Sequence, residues 1–175
     1  MEKYVSSFLS ELLFINPNGK DPPCGWIKIM SAMTRREARE QLIGLLFETE
    51  FRKDESAAEI YATSTENREI PQDSYIKKAY FAIDENKETI DKTIGAHAKG
   101  WKTHRLSNLS RSVLRLAVYE MLYEEAIPYS VSINEAVELT KKFDEDKARP
   151  FVNGILNSIK ESLETEQGEN VAKQS

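Results

Sequence analysis

Cysteine is almost missing from this chain: Cys24 is the single one in 175 residues. One thiol cannot close an internal disulfide, so the fold must hold without a staple, as suits a reducing cytosol. A surplus of basic charge is missing too, since the formal net charge is -5 and the pI near 5.3. Nonspecific nucleic-acid coating runs on clustered lysine and arginine, so an acidic chain is not a general coat. Any nucleic-acid contact must come from a local basic patch. No apolar run approaches the roughly 20 residues that span a bilayer. The apolar stretch from Phe8 to Ile15 is interrupted by Glu11 and preceded by Lys3 as its only cation. No small-x-small cleavage site follows it, which argues against a signal peptide. A cytoplasmic protein is expected.

Catalytic constellations are also missing. His97 and His104 stand seven apart with no cysteine or paired carboxylate at ligand spacing, so no zinc site is expected. Neither GxSxG nor GxGxxG occurs. The segment Gly95-Ala96-His97-Ala98-Lys99-Gly100-Trp101-Lys102-Thr103 approximates a phosphate loop. Trp101, however, separates the second glycine from the lysine, and a helical segment rather than a buried strand precedes it. The plainer reading is that Gly100 ends a helix and Trp101 packs into the core. Neither an enzyme nor a cofactor is expected. Strand alternation, hairpin dipeptides and internal repeats are absent as well.

What is present is helical periodicity, beginning abruptly. Residues 1–32 are broken by Pro17, Gly19, Pro22, Pro23 and Gly25. Thr34 and Glu37 then have capping-box spacing. We read 1–32 as an irregular extension and take Met33 as the expected initiator, the rival being a genuine, loosely held N-terminal segment. The first helix, over 34–51, aligns Ala38, Leu42, Leu45, Leu46 and Thr49, widened by Ile43 and Phe47. A weaker second helix covers 55–63, and Pro71 marks a break. A third runs from Ser74 to Asn86 with Tyr75, Ala79, Ala82 and Ile83. A fourth over 87–98 carries Ile90, Ile94 and Ala98. The fifth, 110–124, places Leu114, Ala117, Val118, Met121 and Leu122 on one face. Pro128 prevents its continuation. A second capping-box spacing, Ser132 to Glu135, predicts the start of the sixth helix, which buries Ile133, Ala136, Val137 and Phe143. The seventh has Pro150 in its first turn and carries Phe151, Val152, Ile155, Leu156, Ile159 and Leu163. Residues 164–175 are polar and predict a frayed tail. The fold class is therefore all-α, a compact bundle of about seven helices, with the domain over 33–163.

Single residues stand out against this pattern. Glu120 is a carboxylate on a heavily apolar helix, which points to a helix-to-helix hydrogen bond. Asn134 is expected in the first turn of helix six, free to bond exposed backbone groups. Gly154 lies inside helix seven at a cost of about 1 kcal/mol relative to alanine, which suggests close approach by another helix. Arg35, Arg36 and Arg39 occupy i, i+1 and i+4 at a helix N-terminus. That arrangement suits phosphate, and arginine can grip phosphate or guanine bidentately. The plainer alternative is a solvated face salt-bridged to Glu37 and Glu40.

Three segments carry a resemblance: TRREAREQ and the apolar helix through LLFE at 34–48, GWKTHRLSNLSRSVLRLAVYEMLY at 100–123, and IPYSVSINEAVELTKKF with FVNGIL at 127–156. In this order they resemble the NusB family over roughly 33–163. The resemblance implies a pair of three-helix bundles with an additional helix. It also implies transcription antitermination, through binding of boxA RNA in ribosomal RNA leaders together with the ribosomal protein NusE. NusA, NusG and RNA polymerase would join the larger complex. By the same resemblance Arg35, Arg36 and Arg39 belong to the RNA surface, joined by Lys102, His104 and Arg105. Arg115 is a candidate for the protein-facing surface, its rival role being an intramolecular ion pair. Two departures stand in helix one: Gly44 where the family commonly has glutamine, and Phe47 where it often has tyrosine. Some relatives self-associate, so a homodimer stays open. Alternative readings are a pure protein-interaction bundle and a stand-alone relative of the NusB-like domain of ribosomal RNA methyltransferases. The latter's doubly wound catalytic domain has no counterpart in this sequence.

Overall fold

The computed structural model describes residues 33–67, 70, 73–98 and 106–174. Residues 1–32, and with them Cys24 and the question of the initiator, lie outside that set, as do Pro71, Lys102, His104 and Arg105 and the Gly100–Trp101 junction. Among the described residues there are seven helices and no strand: α1 Arg35–Thr49, α2 Ala57–Asn67, α3 Ser74–Glu85, α4 Lys87–His97, α5 Asn108–Tyr123, α6 Tyr129–Phe143 and α7 Ala148–Gln174. None is long and apolar enough to cross a membrane.

Local chemistry sets most of the starts. Thr34 and Glu37 close the reciprocal capping box ahead of α1, satisfying amides that the first turn leaves free. Ser56 and Glu59 repeat the device before α2. Asp73 accepts from the amides of Tyr75 and Ile76, and Ser107 accepts from the amide of Ser110. Asn86 both ends α3 and precedes α4, its side-chain amide donating to the carbonyl of Ala82 at 2.8 Å.

Helix α5 is central to the helical unit from Met33 onward. Every residue from Ser112 to Met121 is buried, because α5 packs against α1, α3, α4, α6 and α7. Helices α1, α2 and α3 form one group, with Tyr61 of α2 against the rings of Tyr80 and Phe81. Helices α5, α6 and α7 form the other, with α4 laid against α5 and α7. The core runs through both groups, from Leu42, Ile43 and Ile76 to Leu114, Leu156 and Ile159.

Three expectations need correction. Helix α6 starts at Tyr129, not at Ser132: the carbonyl of Pro128 already accepts from the amides of Val131 and Ser132. A proline just ahead of a helix loses nothing there, since its absent amide would have no intrahelical partner. Asn134 consequently lies in the second turn, exposed, out of reach of the free amides. Gly154 is exposed, and a Cβ built there would meet nothing within 4 Å, so it admits no neighbouring helix. Helix α7 is helical through Gln174. Residues 164–174 contain no proline and are rich in glutamate and glutamine, both good helix formers.

Candidate nucleic-acid interface

The cap at Thr34 places Arg35 and Arg36 in the first turn of α1, both exposed. The Arg35 guanidinium lies over the Tyr75 ring at 4.7 Å from its centroid. That cation–π contact ties it to the ring. Arg36 reaches across to α6, where Nε and Nη2 donate to the two carboxylate oxygens of Glu135 at 3.0 and 2.6 Å. Its side chain stays 53% exposed. This fork holds the Glu135 carboxyl below the usual carboxylate range. The partners of the arginine cluster thus come from other helices, whereas Glu37 serves the cap and Glu40 pairs with Lys142.

Arg39 goes elsewhere. Counted along α1, positions 39, 42, 43 and 46 form one i, i+3, i+4, i+7 stripe, so Arg39 extends the core face of Leu42, Ile43 and Leu46 toward the N-terminus. Its side chain is 6% exposed and that of Glu120 2%. Nε donates to Glu120 at 2.8 Å, and Nη1 stands 3.9 Å from Glu135. Glu120 also accepts from the Ser132 hydroxyl at 2.7 Å and from the Tyr75 hydroxyl. Burial alone would lower the Arg39 pKa, but the hydrogen bond and charge of Glu120 outweigh it and the net direction is up. Burial, reinforced by Glu120, raises the Tyr75 hydroxyl, which therefore stays a neutral donor. Glu120 is the helix-to-helix bond its sequence position suggested, joining α1, α3, α5 and α6. The structure pairs Arg39 with this cluster, where the buried carboxylate requires its cation.

Arg115 is likewise committed. It donates to Asp91 through Nε and Nη2 at 2.7 and 2.8 Å, and to Glu50 through Nη1 at 2.5 Å. Arg111 adds a second cation on Glu50 at 2.8 Å. With its side chain 7% exposed, Arg115 is the intramolecular ion pair weighed against a partner-facing role. The departures in α1 fall inside the fold: Gly44 is buried, and the half-buried Phe47 packs on the exposed Phe51 ring at 5.0 Å.

The exposed cations of α1 are therefore Arg35 and Arg36. Sequence reading missed what lies beside them. A cleft of about 400 Å³ opens along the α1–α6 seam, lined by Arg36, Glu40, Glu138, Leu139, Lys141 and Lys142. Lys142 donates to both carboxylate oxygens of Glu40, at 2.8 and 2.9 Å. The adjacent lysines at 141 and 142 were the available signal.

Comparison with known proteins matches residues 36–161 to the model of the NusB family. A transcription antitermination protein NusB from Bacillus pumilus is 42% identical over 132 residues, covering 75% of this chain and 98% of that protein. Its counterpart from Clostridium perfringens is 38% identical over 136 residues, covering 75% and 100%. Among solved structures, T. maritima NusB superposes with a TM-score of 0.62 at 36% identity, over 72% of this chain and 89% of that one. A complex of the antitermination factors NusB and NusE with double-stranded RNA gives a TM-score of 0.65 at 28% identity, over 73% and 96%.

Proposed function

The chain belongs to the NusB family, and from that premise we propose that it is a transcription antitermination factor that binds boxA RNA of ribosomal RNA leaders together with NusE. The observation that carries the reading is similarity at about 40% identity over three quarters of this chain and nearly the whole length of NusB proteins, joined to a fold shared with a NusB that was solved with NusE and RNA. The protein acts by binding and makes or breaks no bond. NusA, NusG and RNA polymerase complete the assembly, in the cytoplasm where transcripts emerge. A homodimer that covers the RNA face would compete with it.

We assign the RNA contact to Arg35 and Arg36, with Lys102, His104 and Arg105 as further members of the surface. Arg35 is pre-oriented on Tyr75, and Arg36 sits half-exposed in the first turn, where free amides also favour phosphate. With few cations in reach, RNA affinity without NusE is modest and salt-sensitive. Coupled binding follows, in which RNA and NusE each raise the affinity for the other by one shared factor. Fluorescence titration of labelled boxA RNA, with and without NusE, tests this. The expected result is tighter RNA binding when NusE is present. Absence of binding even with NusE overturns the reading. Arg35→Ala/Arg36→Ala should weaken binding by about tenfold or more at low salt with helicity unchanged, and unchanged affinity removes both arginines from the site.

A further inference from the structure

The α1–α6 seam repeats one arrangement twice with the charges swapped. On α1, Arg36 and Glu40 are one turn apart; on α6, Glu135 and Lys142 face them. Arg36 pairs with Glu135, and Lys142 pairs with Glu40, at 2.6 and 2.8 Å. The cleft of about 400 Å³ opens beside Arg36 and the Lys142–Glu40 latch, with Glu138 as a further carboxylate on its lining. Lys141 lines it too, exposed and without an ion-pair partner among the described residues.

Ion pairs whose cations reach solvent are weak, because water screens them. Arg36 and Lys142 are 53% and 54% exposed, their carboxylate partners 15% each. Their carboxylate partners occupy the positions a phosphate would take: Glu135 fills the planar fork of Arg36, which matches carboxylate and phosphate alike. A phosphate has three properties that let it replace these carboxylates. It carries the same sign, it has a similar oxygen spacing, and a polyanion delivers several at once. The cleft also continues directly from Arg36, so a strand gripped there has Lys141 and Lys142 next along the seam.

We propose that the α1–α6 cleft is a second phosphate seat of the RNA surface, formed by Arg36, Lys141 and Lys142, in which Glu135 and Glu40 are resident anions that RNA phosphates displace. The inference rests on the RNA-binding reading above. The carboxylates then set selectivity: a single phosphate does not outcompete them, whereas a strand that spans the seam does.

The test titrates boxA RNA in the presence of NusE at about 50 mM and about 200 mM salt, with wild type, Lys141→Gln/Lys142→Gln and Glu135→Gln. The lysine variant should lose affinity, and its salt dependence should flatten by about 1.4 in log–log slope, two single-strand phosphate contacts. Its deficit should therefore be about sevenfold larger at the lower salt. Glu135→Gln should bind up to about fivefold tighter, the scale of one exposed ion pair released. Glu40→Gln should tighten binding in the same direction, which keeps the test valid where Glu135→Gln unsettles Arg39. Unchanged affinity and slope in the lysine variant, beside normal wild-type binding, overturn the second seat alone. Unchanged affinity in both glutamate variants overturns their role as resident anions. Failure of the wild type to bind overturns the RNA reading and this inference together.

Discussion

Arg39→Ala isolates the cost of the buried cluster. Glu120 is 2% exposed and its cation 6%, so removing the guanidinium strands a carboxylate that water cannot reach. Breaking a buried pair from one side costs about 3 to 5 kcal/mol. Tyr75 and Ser132 still donate to Glu120, which places the expected loss near the lower end, about 3 kcal/mol. For a domain of this size each kcal/mol moves the midpoint by about 2 to 4 °C, so the Tm should fall by about 6 to 12 °C. Urea unfolding followed by far-ultraviolet circular dichroism gives the free energy directly, with an unchanged slope if only the native state is affected. The informative partner is Arg39→Ala/Glu120→Gln. A neutral amide still accepts from Tyr75 but carries no stranded charge, so this double variant should recover about 1 kcal/mol or more over the single one. A loss below about 1 kcal/mol in Arg39→Ala, or no recovery in the double variant, would refute the argument that an uncompensated buried charge sets the cost.

Acid should weaken the fold through Glu50 and Glu135. Burial alone would raise the Glu50 carboxyl, but Arg115 and Arg111 outweigh it and the net direction is down; Arg36 lowers Glu135. An unfolded glutamate titrates near about 4.3, so below about pH 5 the unfolded chain binds more protons, and stability is lost as pH falls through the folded values. Urea midpoints from about pH 6 to about pH 3 should show that decline, and Glu50→Gln should flatten it; an equal slope in the variant rules Glu50 out. Gly154→Ala should stabilise by about 0.5 to 1 kcal/mol, because the site is helical and open. Thermal melts check this, and destabilisation would mean that α7 meets a neighbour there. Thr34→Ala should cost about 1 kcal/mol by removing the cap of α1, and a Tm within error of wild type would discount the capping box.

The helices were legible because their apolar stripes are long and regular, and Leu42, Ile90, Leu114 and Ile159 are buried where periodicity put them. Starts were legible where a side chain makes the cap, as at Thr34. They failed where backbone does it: at Pro128 a carbonyl accepts, and the Ser132–Glu135 spacing imitates a cap that does not form. Ser132 donates to Glu120, while Glu135 accepts from Arg36 and lies 3.9 Å from Arg39. The candidate site was half legible. Spacing along α1 groups Arg35, Arg36 and Arg39, but a one-dimensional neighbour rule cannot say which of them lies on the core stripe. The stripe itself could have, since 39, 42, 43 and 46 share a face. The cleft at Lys141 and Lys142 depends on how α6 lies against α1, which no local pattern encodes.

The most distinctive segment, RSVLRLAVYE, and the proposed contact surface are linked by α1. Helix α5 carries two charges within a buried stretch, and each holds a different end of α1. Glu120 binds Arg39 near its start, and Arg115 binds Glu50 just past its end. The later residue of α5 holds the earlier part of α1, so the two helices run antiparallel. Arg39 and Glu50 are eleven residues apart, about 16 Å of helix. A helix held at one point can roll about its axis; one held at both ends by charged hydrogen bonds resists it. Each residue turns the helix by about 100°, so a modest roll would carry Arg36 off Glu135 and Arg35 off Tyr75. The buried pairs therefore fix the rotation that exposes Arg35 and Arg36 together on one side. That explains why a motif made of packing residues identifies a binding protein: its charged members aim the surface that other residues supply.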